Sequence, residues 1–255
     1  MLSVERHERI LDQLDKSKIV KVSELSKLLA VTEKTIRGDL ELLEQRGLLK
    51  RIHGGAVIVE EEGRMLPIAE RQSRHSEVKL AIAKEAVKLI KPNETILMDG
   101  GSTTIAIAEL LGEFPITVIT NDLKIANILL GKNNVQLMVL GGTRIDNSSS
   151  LMGAQATEML QRIRVNRLFF GTTGVSIEHG LTVINSIHAD WKKQIINCAD
   201  HVTLLADSTK FDKVALIRFA SLEEVNEIIT DSRLDENIKV NLENKEIALH
   251  LAEIS

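Results

Sequence analysis

From about residue 76 onward, short apolar runs alternate with segments of helical periodicity, and this alternation restricts the folds that the chain can adopt. The strand-like apolar runs are ETILMDGG, PITVITND, NVQLMVLGG, NRLFFGTTG, VTLLADS and EIALHLA. The helical segments between several of them include TTIAIAELL, LKIANILL, GAQATEMLQRI and ADWKKQIINCA. Continuous apolar strands that alternate with helices are typical of a mostly parallel sheet with both faces covered. We therefore predict an α/β domain over residues 76–255.

Polar residues collect where the predicted strands end, which is where open parallel sheets bind ligands. The first cluster, DGGSTT at residues 99–104, follows an apolar strand and opens a helix. Its backbone N–H groups and hydroxyls can cradle a phosphate at the helix N-terminus. The same turn also occurs as a plain tight connection, and it lacks the Gly-Lys-Ser/Thr ending of a Walker loop.

Later strands end in the same way, at residues 120–122, 141–144, 171–174 and 207–210. Each cluster taken alone is explained by turn and cap chemistry, but their common placement after strands favours a ligand site. Lys192 and Lys210 would supply positive charge for an anionic ligand, unless they are only solvated surface lysines. Together these loops favour a small, hydroxyl-rich, phosphorylated molecule.

The first 58 residues have a different texture, with three helical segments followed by a ribbon. The apolar spacing predicts a first helix over residues 4–14, and KSKIVKV reads as a short extended segment. Ser23 is the predicted N-cap of a second helix, Thr32 caps a third, and Gly47 ends it. LLKRIHGGAVIV then forms a two-stranded ribbon with a Gly-Gly turn. These elements make a winged helix-turn-helix domain over residues 1–58.

The third helix has the pattern of a helix that reads DNA. Its apolar residues fall at helical spacing, which leaves Lys34 and Arg37 to point away from the apolar side. Gly38 lies in its middle, where glycine costs about 1 kcal/mol relative to alanine. Residues 1–58 contain 11 Lys or Arg against 9 Asp or Glu, whereas the remainder contains 21 against 27. The basic end of a chain with a net charge of -4 is therefore the predicted DNA-binding end.

The rest of the sequence limits the other structures and functions that the chain could have. Residues 59–75 include Pro67 and charge runs and are predicted to be a linker. The single cysteine, Cys198, rules out an internal disulfide, and its apolar surroundings indicate a small buried residue. The seven histidines show no metal-ligand spacing, so we expect neither a metal nor a cofactor. With no apolar run long enough for a membrane span and no secretory signal, the expected compartment is the cytoplasm.

These motifs resemble the DeoR family of bacterial transcription regulators along nearly the whole chain. The family signature T-x-x-T-I-R-R-D-L followed by L-E-x-x-G-L-L-x-R-x-H-G-G-A is matched at residues 32–40 and 43–56. The sensor half resembles the family in MDGGSTT, TND, LGGTRIDNSSSLMG, GTTGVSIEHGLT, LLADSTKF and IITDS. The resemblance implies a repressor of a carbohydrate operon, with a C-terminal domain similar in fold to ribose-5-phosphate isomerase that binds a sugar phosphate. It also implies a homodimer or homotetramer on double-stranded operator DNA.

The motifs and the resemblance together nominate two sets of functional residues. The residues expected at DNA are Ser23, Thr32, Lys34, Thr35, Arg37, Lys50, Arg51 and His53. The residues expected around the effector are Asp99, Gly100, Gly101, Ser102, Thr103, Thr104, Asn121, Gly142, Lys192 and Lys210. No catalytic residue is expected. The alternative is an isomerase-like enzyme with an appended DNA-binding domain, for which Asp99 or Asp207 would supply the carboxylate that acid-base chemistry needs.

The chain also departs from the family pattern. Gly38 stands where the family has arginine, Gly101 where it usually has alanine, and Asn166 where it has aspartate. HADWKK, at residues 188–193, replaces a glutamate-rich E-A-E-V-K-R run. Because this segment includes the expected effector lysine, the resemblance leaves the effector's identity open.

Overall fold

The computed structural model describes residues 3–17, 19–45, 48–58, 68–73, 75–145 and 148–254. The chain divides into two compact units. One comprises Met1–Arg64 with Glu70–His75, and the other comprises Met65–Ala69 with Ser76–Ser255. In the part of the chain that the structure describes, no helix combines the length and the apolar character needed to cross a bilayer.

The first unit is a winged helix-turn-helix, as the sequence predicts. Its elements in chain order are α1 (Ser3–Ser17), β1 (Ile19–Lys21), α2 (Val22–Leu28), α3 (Glu33–Gln45), β2 (Leu49–Ile52) and β3 (Gly55–Ile58). β2 and β3 form the predicted ribbon, and the extended segment β1 adds a third antiparallel strand in the order β1-β3-β2. Ile10, Leu14 and Leu25 from the first two helices pack with Ile36 and Leu40 of α3 in one core.

One detail of this unit differs from the sequence-based predictions, one supports them, and one lies outside the described residues. Ser23 does not cap α2, because the helix begins at Val22 with Lys21 at the N-cap, so Ser23 lies in its first turn. Thr32 does cap α3, since its Oγ1 accepts the backbone N–H of Thr35 at 3.2 Å. Gly47, the predicted end of α3, lies outside the described residues.

The segment predicted to be a linker is partly helical. A short helix, α4 (Ile68–Ser73), occupies the middle of residues 59–75. Residues 59–67, which include Pro67, lie outside the described residues, so the structure tests the linker prediction only in part. The sequence did not indicate this helix, because six residues are too short a window for helical periodicity to show.

The second unit is built around a sheet of seven parallel strands. Its first elements are α5 (Ser76–Lys88), β4 (Thr95–Met98), α6 (Ser102–Leu110), β5 (Ile116–Thr120), α7 (Leu123–Leu129), β6 (Val135–Val139), β7 (Thr143–Arg144), β8 (Leu151–Met152) and α8 (Ala154–Leu160). The remaining elements are β9 (Val165–Phe170), β10 (Gly174–Ser176), β11 (Gly180–Val183), α9 (Ser186–Asn197), β12 (Ala199–Leu205), β13 (Ile217–Ala220), β14 (Glu227–Asp231), α10 (Glu236–Glu243) and β15 (Ala248–Ala252). All of the apolar runs and helical segments singled out in the sequence are found as strands and helices.

The order of the strands places a crevice at the centre of this sheet. The order is β15-β14-β12-β9-β4-β5-β6, and every neighbouring pair is parallel. The chain runs outward from β4 through β5 to β6, and then returns to the other side of β4 with β9. The direction in which the chain adds strands therefore reverses between β4 and β9. Open α/β sheets bind ligands at such a switch point.

Both faces of the sheet are covered, which explains why its strands are continuously apolar. Along β4, Ile96 and Met98 pack into one core together with α5 and α6, whereas Leu97 packs into a second core on the opposite face. The second core includes Trp191 and Ile195 of α9. It is completed by a small antiparallel sheet, β10-β11-β13, which the sequence did not predict.

Candidate DNA-binding surface and ligand crevice

An ionic cluster joins the inner side of α3 to α1. Asp39 accepts two hydrogen bonds from Arg6 of α1, at 2.6 Å to Nε and 2.9 Å to Nη2. His7 Nε2 lies 2.9 Å from the same carboxylate. Burial by itself would raise the pKa of Asp39, but the hydrogen bonds from Arg6 and His7 outweigh it, and the pKa lies below its usual value. We call Arg6, His7 and Asp39 the α1–α3 clasp.

The outer side of α3 carries the residues expected to contact DNA. Lys34 and Arg37 are exposed, as the helical spacing predicts. Arg37 is not unpaired, however, because its Nη2 donates to Glu33 Oε2 at 2.7 Å, one turn earlier on the same face. The hydroxyls of Thr32 and Thr35 lie 2.9 Å apart at the start of the helix. Gly38 is open, since no described atom lies within 4 Å of the position that a Cβ would occupy.

The wing presents the remaining cations. Lys50, Arg51 and His53 are exposed on β2 and in the turn that leads to β3. Gly54 takes a φ of +80° in this turn, a conformation that favours glycine. The backbone N–H of Arg51 donates to Glu44 Oε1 at 2.7 Å, which ties the wing to the end of α3. Ser23 is exposed in the first turn of α2.

In the second unit, the switch point holds a buried group of polar side chains. Lys192 Nζ donates to Asp99 Oδ2 at 2.6 Å and to the carbonyl of Gly171 at 2.6 Å. Trp191 Nε1 donates to the other carboxylate oxygen, Asp99 Oδ1, at 2.8 Å. Asp99 directly follows β4 and Gly171 directly follows β9, so Lys192 joins the two sides of the crevice. Trp191 lies in the core of this unit and also bonds to an expected effector residue.

Beside this group lies the start of α6. Gly101 is its N-cap, and no side chain of the described chain caps it, so its first-turn N–H groups have no intrahelical or side-chain acceptor. The half-buried Ser102 and Thr103 add their hydroxyls at this end. Thr104 faces inward instead, and its Oγ1 donates to the carbonyl of Asp99 at 2.6 Å. A helix start of this composition suits an anion.

A second polar network contacts the turn between β4 and α6 at Gly100. Asn121 accepts the backbone N–H of Gly100 at 3.3 Å and donates to Leu151, while Asp122 accepts from the hydroxyls of Ser149 at 2.6 Å and Ser150 at 3.2 Å. A Cβ on Gly100 would lie 1.9 Å from Ser150 Oγ and 2.7 Å from Asp122 Oδ2, so any larger residue would displace the side chains of this network. Asn121 is fully buried, and it positions the turn through Gly100.

The structure gives less support for a ligand contact at two expected effector positions, Gly142 and Lys210. Gly142 is exposed beside β7, and its φ of +145° and the close approach of the Met152 backbone explain the glycine structurally. Lys210 ends a 3-10 turn, Ser208–Lys210, that follows β12. Its side chain is half-buried, and no acidic side chain of the described chain pairs with it. An isolated bridge between Val175 and Phe211 brings this turn beside the segment that follows β9.

The remaining departures from the family pattern also have structural settings. Asn166 Oδ1 accepts the backbone N–H of Thr95 at 2.8 Å at the start of β4, a bond that an aspartate would also make. Gly101 has only Thr104 Oγ1 near its missing Cβ, at 3.2 Å. Cys198 is buried, as expected, and burial raises the pKa of its thiol to about 11.

Comparison with known proteins agrees with this architecture. Residues 6–62 match the DeoR-like helix-turn-helix domain, and residues 74–232 match the DeoR C terminal sensor domain. The chain is 35% identical over 255 residues to the uncharacterized HTH-type transcriptional regulator YulB of Bacillus subtilis, covering 100% of this chain and 99% of that protein. It is 33% identical over 236 residues to the lactose phosphotransferase system repressor of Staphylococcus epidermidis, covering 91% and 93%. A solved ribose 5-phosphate isomerase A from Methanocaldococcus jannaschii gives a distant and partial match, with a TM-score of 0.39 and 22% identity over 53% of this chain and 54% of that one.

A winged helix-turn-helix followed by a parallel α/β sensor domain defines a class of DNA-binding transcription regulators. Within that class, the chain belongs to the DeoR family, which confirms the resemblance found in its motifs.

Proposed function

We propose that this regulator represses a carbohydrate-utilisation operon and that a phosphorylated sugar or a related metabolite controls it. The name of its Staphylococcus relative, a repressor of a lactose phosphotransferase system, supports the sugar assignment. The single observation that carries the proposal is the uncapped start of α6 next to the buried Lys192. Backbone N–H groups, hydroxyls and an ammonium together form a donor set suited to a phosphate.

The ligand in this proposal lies over the switch point between β4 and β9. Its phosphate accepts from the first turn of α6, including Ser102 and Thr103, and from Lys192. Lys210 adds a second cation from the neighbouring strand end. We assign Asn121 and Gly142 to shaping the surrounding loops, because their contacts serve the backbone.

The DNA side of the proposal uses α3 as the recognition helix. Lys34 and Arg37 face the major groove, as the corresponding helix does in other helix-turn-helix proteins. Thr32, Thr35 and Ser23 at the helix starts, together with Lys50, Arg51 and His53 on the wing, contact phosphates or base edges. Phosphate contacts of this kind make binding weaken steeply with salt.

We further propose that the protein acts as a homodimer or homotetramer. Helix-turn-helix regulators usually read two related half-sites with two copies of the recognition helix. Ligand binding then shifts the population of arrangements of the sensor units and changes the spacing of the paired winged helices. Analytical ultracentrifugation at micromolar concentration tests this step, and a monomer that binds a palindromic site tightly would contradict it.

The function itself is tested with DNA from the protein's own upstream region. Fluorescence anisotropy measures the affinity at several salt concentrations, with and without a panel of sugar phosphates. We expect nanomolar binding that one member of the panel changes at least tenfold. The double variant Lys34→Ala with Arg37→Ala should abolish specific binding, whereas Lys193→Ala, which removes a sensor-unit lysine paired with Glu224, should not. Failure of the wild type to shift this DNA under every condition would sink the proposal.

An isomerase-like enzyme is the competing function, and the crevice gives it little support. Both oxygens of Asp99 accept hydrogen bonds from Trp191 and Lys192, and the loop at residues 171–174 contains no carboxylate. Acid-base isomerisation requires a carboxylate that reaches the substrate carbons. NMR spectra of the protein with the same sugar phosphates separate the two functions, because saturable binding without conversion identifies a sensor and conversion identifies an enzyme.

A further inference from the structure

The charge of Asp99 raises a problem for any anion that binds at the crevice. This carboxylate lies two residues before the N-cap of α6 and is buried, with a relative exposure of 2%. An uncompensated negative charge in a buried position would repel a phosphate at the helix start. The site can therefore bind an anion only while Asp99 remains neutralised.

Lys192 supplies that neutralisation, and two acceptors determine where its ammonium sits. Two of its three N–H donors are directed at Asp99 Oδ2 and at the Gly171 carbonyl, each at 2.6 Å. No acceptor in the described part of the chain takes the third donor, so it is available to a ligand. The ammonium also lies 5.7 Å from the ring centroid of Phe170 and 6.0 Å from that of Phe219. The direction of this third N–H depends on how the Asp99 carboxylate is rotated about its own bond, because the carboxylate is one of the two groups that fix the ammonium.

Trp191 fixes this rotation. Its indole N–H donates to Asp99 Oδ1 at 2.8 Å, so the two oxygens are bound by different donors from consecutive residues of α9. The indole is itself held in place, with a relative exposure of 3% in the core beneath the sheet. The indole ring could fill the core without its N–H, and Lys192 already compensates the charge of Asp99. The N–H of Trp191 is needed only to hold the carboxylate in one plane.

We propose that Trp191 is a positioning residue of the anion site: its indole N–H holds Asp99 in the plane in which Lys192 both neutralises it and directs a donor at the ligand. The inference rests on the proposed function, because it assumes that a phosphate group binds at the start of α6. It assigns Asp99 to organising the site rather than to contacting the ligand.

The test compares Trp191→Phe with the wild type in the full-length protein, using inorganic phosphate and the sugar phosphate panel as probes. Phenylalanine keeps an aromatic ring in the core and removes the donor. Since hydrogen bonds to charged groups are among the stronger ones, we expect phosphate affinity measured by calorimetry to fall about tenfold. Ile195→Val, a packing change one turn further along the same buried side of α9, is the control and should leave the affinity unchanged.

A double-mutant cycle distinguishes positioning from simple packing. If Trp191 acts through Asp99, Trp191→Phe should change the affinity by less than about twofold when Asp99→Asn is already present. An equal loss in both backgrounds, or an unchanged affinity in the Trp191→Phe protein alone, overturns the inference while leaving the proposed function intact. A wild-type protein that binds neither phosphate nor any sugar phosphate overturns the proposed function, and the inference falls with it.

The wild type offers a second measurement that does not depend on a variant folding. Trp191 is the only tryptophan, so a ¹⁵N-labelled sample gives one indole N–H signal, and it belongs to the Asp99 bond. We expect phosphate to shift this signal with the same dissociation constant that calorimetry gives. A signal that stays in place while phosphate binds would contradict the proposed role.

Discussion

The two units of this regulator present their functional side chains in opposite ways. In the winged-helix unit, Lys34 and Arg37 are exposed, and the pairing of Arg37 is with a neighbour on its own helix. In the sensor unit, Asp99 after β4 and Lys192 of α9 are buried and bonded to each other, although they are 93 positions apart in the sequence. The contrast teaches that substitutions at the DNA-binding surface should alter binding without unfolding, whereas substitutions in the crevice should alter stability and binding together.

The largest effect is expected where the crevice pair is broken. Lys192→Met leaves Asp99 as a buried carboxylate without a counter-charge, which should cost about 3–5 kcal/mol of unfolding free energy. Differential scanning calorimetry of the full chain measures the loss. The matched variant Lys193→Met breaks the partly exposed pair with Glu224 and should cost less than about 1 kcal/mol. Equal transition temperatures for the two variants would show that burial does not make the Asp99–Lys192 pair more important for stability than an exposed pair.

The α1–α3 clasp is a place where the winged-helix unit should behave like the crevice. Asp39→Asn weakens charge-assisted hydrogen bonds from Arg6 and His7, and we expect a loss of about 2 kcal/mol. Amide hydrogen exchange of α1 and α3 in the intact protein reports this loss locally. Protection factors equal to those of the wild type would show that the clasp does not hold the two helices together.

The same clasp predicts a pH dependence whose sign follows from the lowered pKa of Asp39. Because the folded pKa lies below the unfolded value of about 3.9, the stabilisation is complete well above that pH and is lost as the pH falls through the folded pKa. Exchange measured between about pH 3 and pH 5 should therefore show α1 and α3 loosening toward acid in the wild type. The Asp39→Asn protein should show a smaller change, and an identical pH profile would assign the acid sensitivity to other groups.

The sequence predicts features that depend on neighbouring residues and misses contacts that depend on the order of the strands. Helix spacing and turn residues are local signals, so the winged helix and the outward direction of Lys34 were readable in advance, and the apolar runs predicted the parallel sheet. The bond between Trp191 and Asp99 was not predictable, because the two residues are 92 positions apart and meet only through the strand order. Ser23 shows a local failure, since a serine next to an apolar run resembles a cap wherever the helix actually begins.

Substitution of Gly38 tests whether an exposed position can gain DNA affinity without a loss of folding stability. The open space around it should accept Gly38→Arg without a clash, and a new phosphate contact should steepen the slope of log affinity against log salt by about 0.9. Gly38→Ala is the control, because it should add about 1 kcal/mol of helix stability and leave the salt slope unchanged. If arginine also leaves the slope unchanged, position 38 does not lie at the DNA backbone.

The smallest effect is expected at the pair that Arg37 forms on its own helix. Glu33 must release Arg37 before the guanidinium can reach a base or a phosphate, and an exposed i,i+4 pair is worth only about 0.3–0.5 kcal/mol. Glu33→Gln should therefore tighten nonspecific DNA binding by about twofold, measured by anisotropy at low salt. Glu5→Gln breaks the equivalent exposed pair with Arg9 on α1 and should leave DNA affinity unchanged. If both variants tighten binding equally, the gain reflects net charge alone, and Arg37 is then no more engaged with DNA than a lysine or arginine elsewhere on the unit.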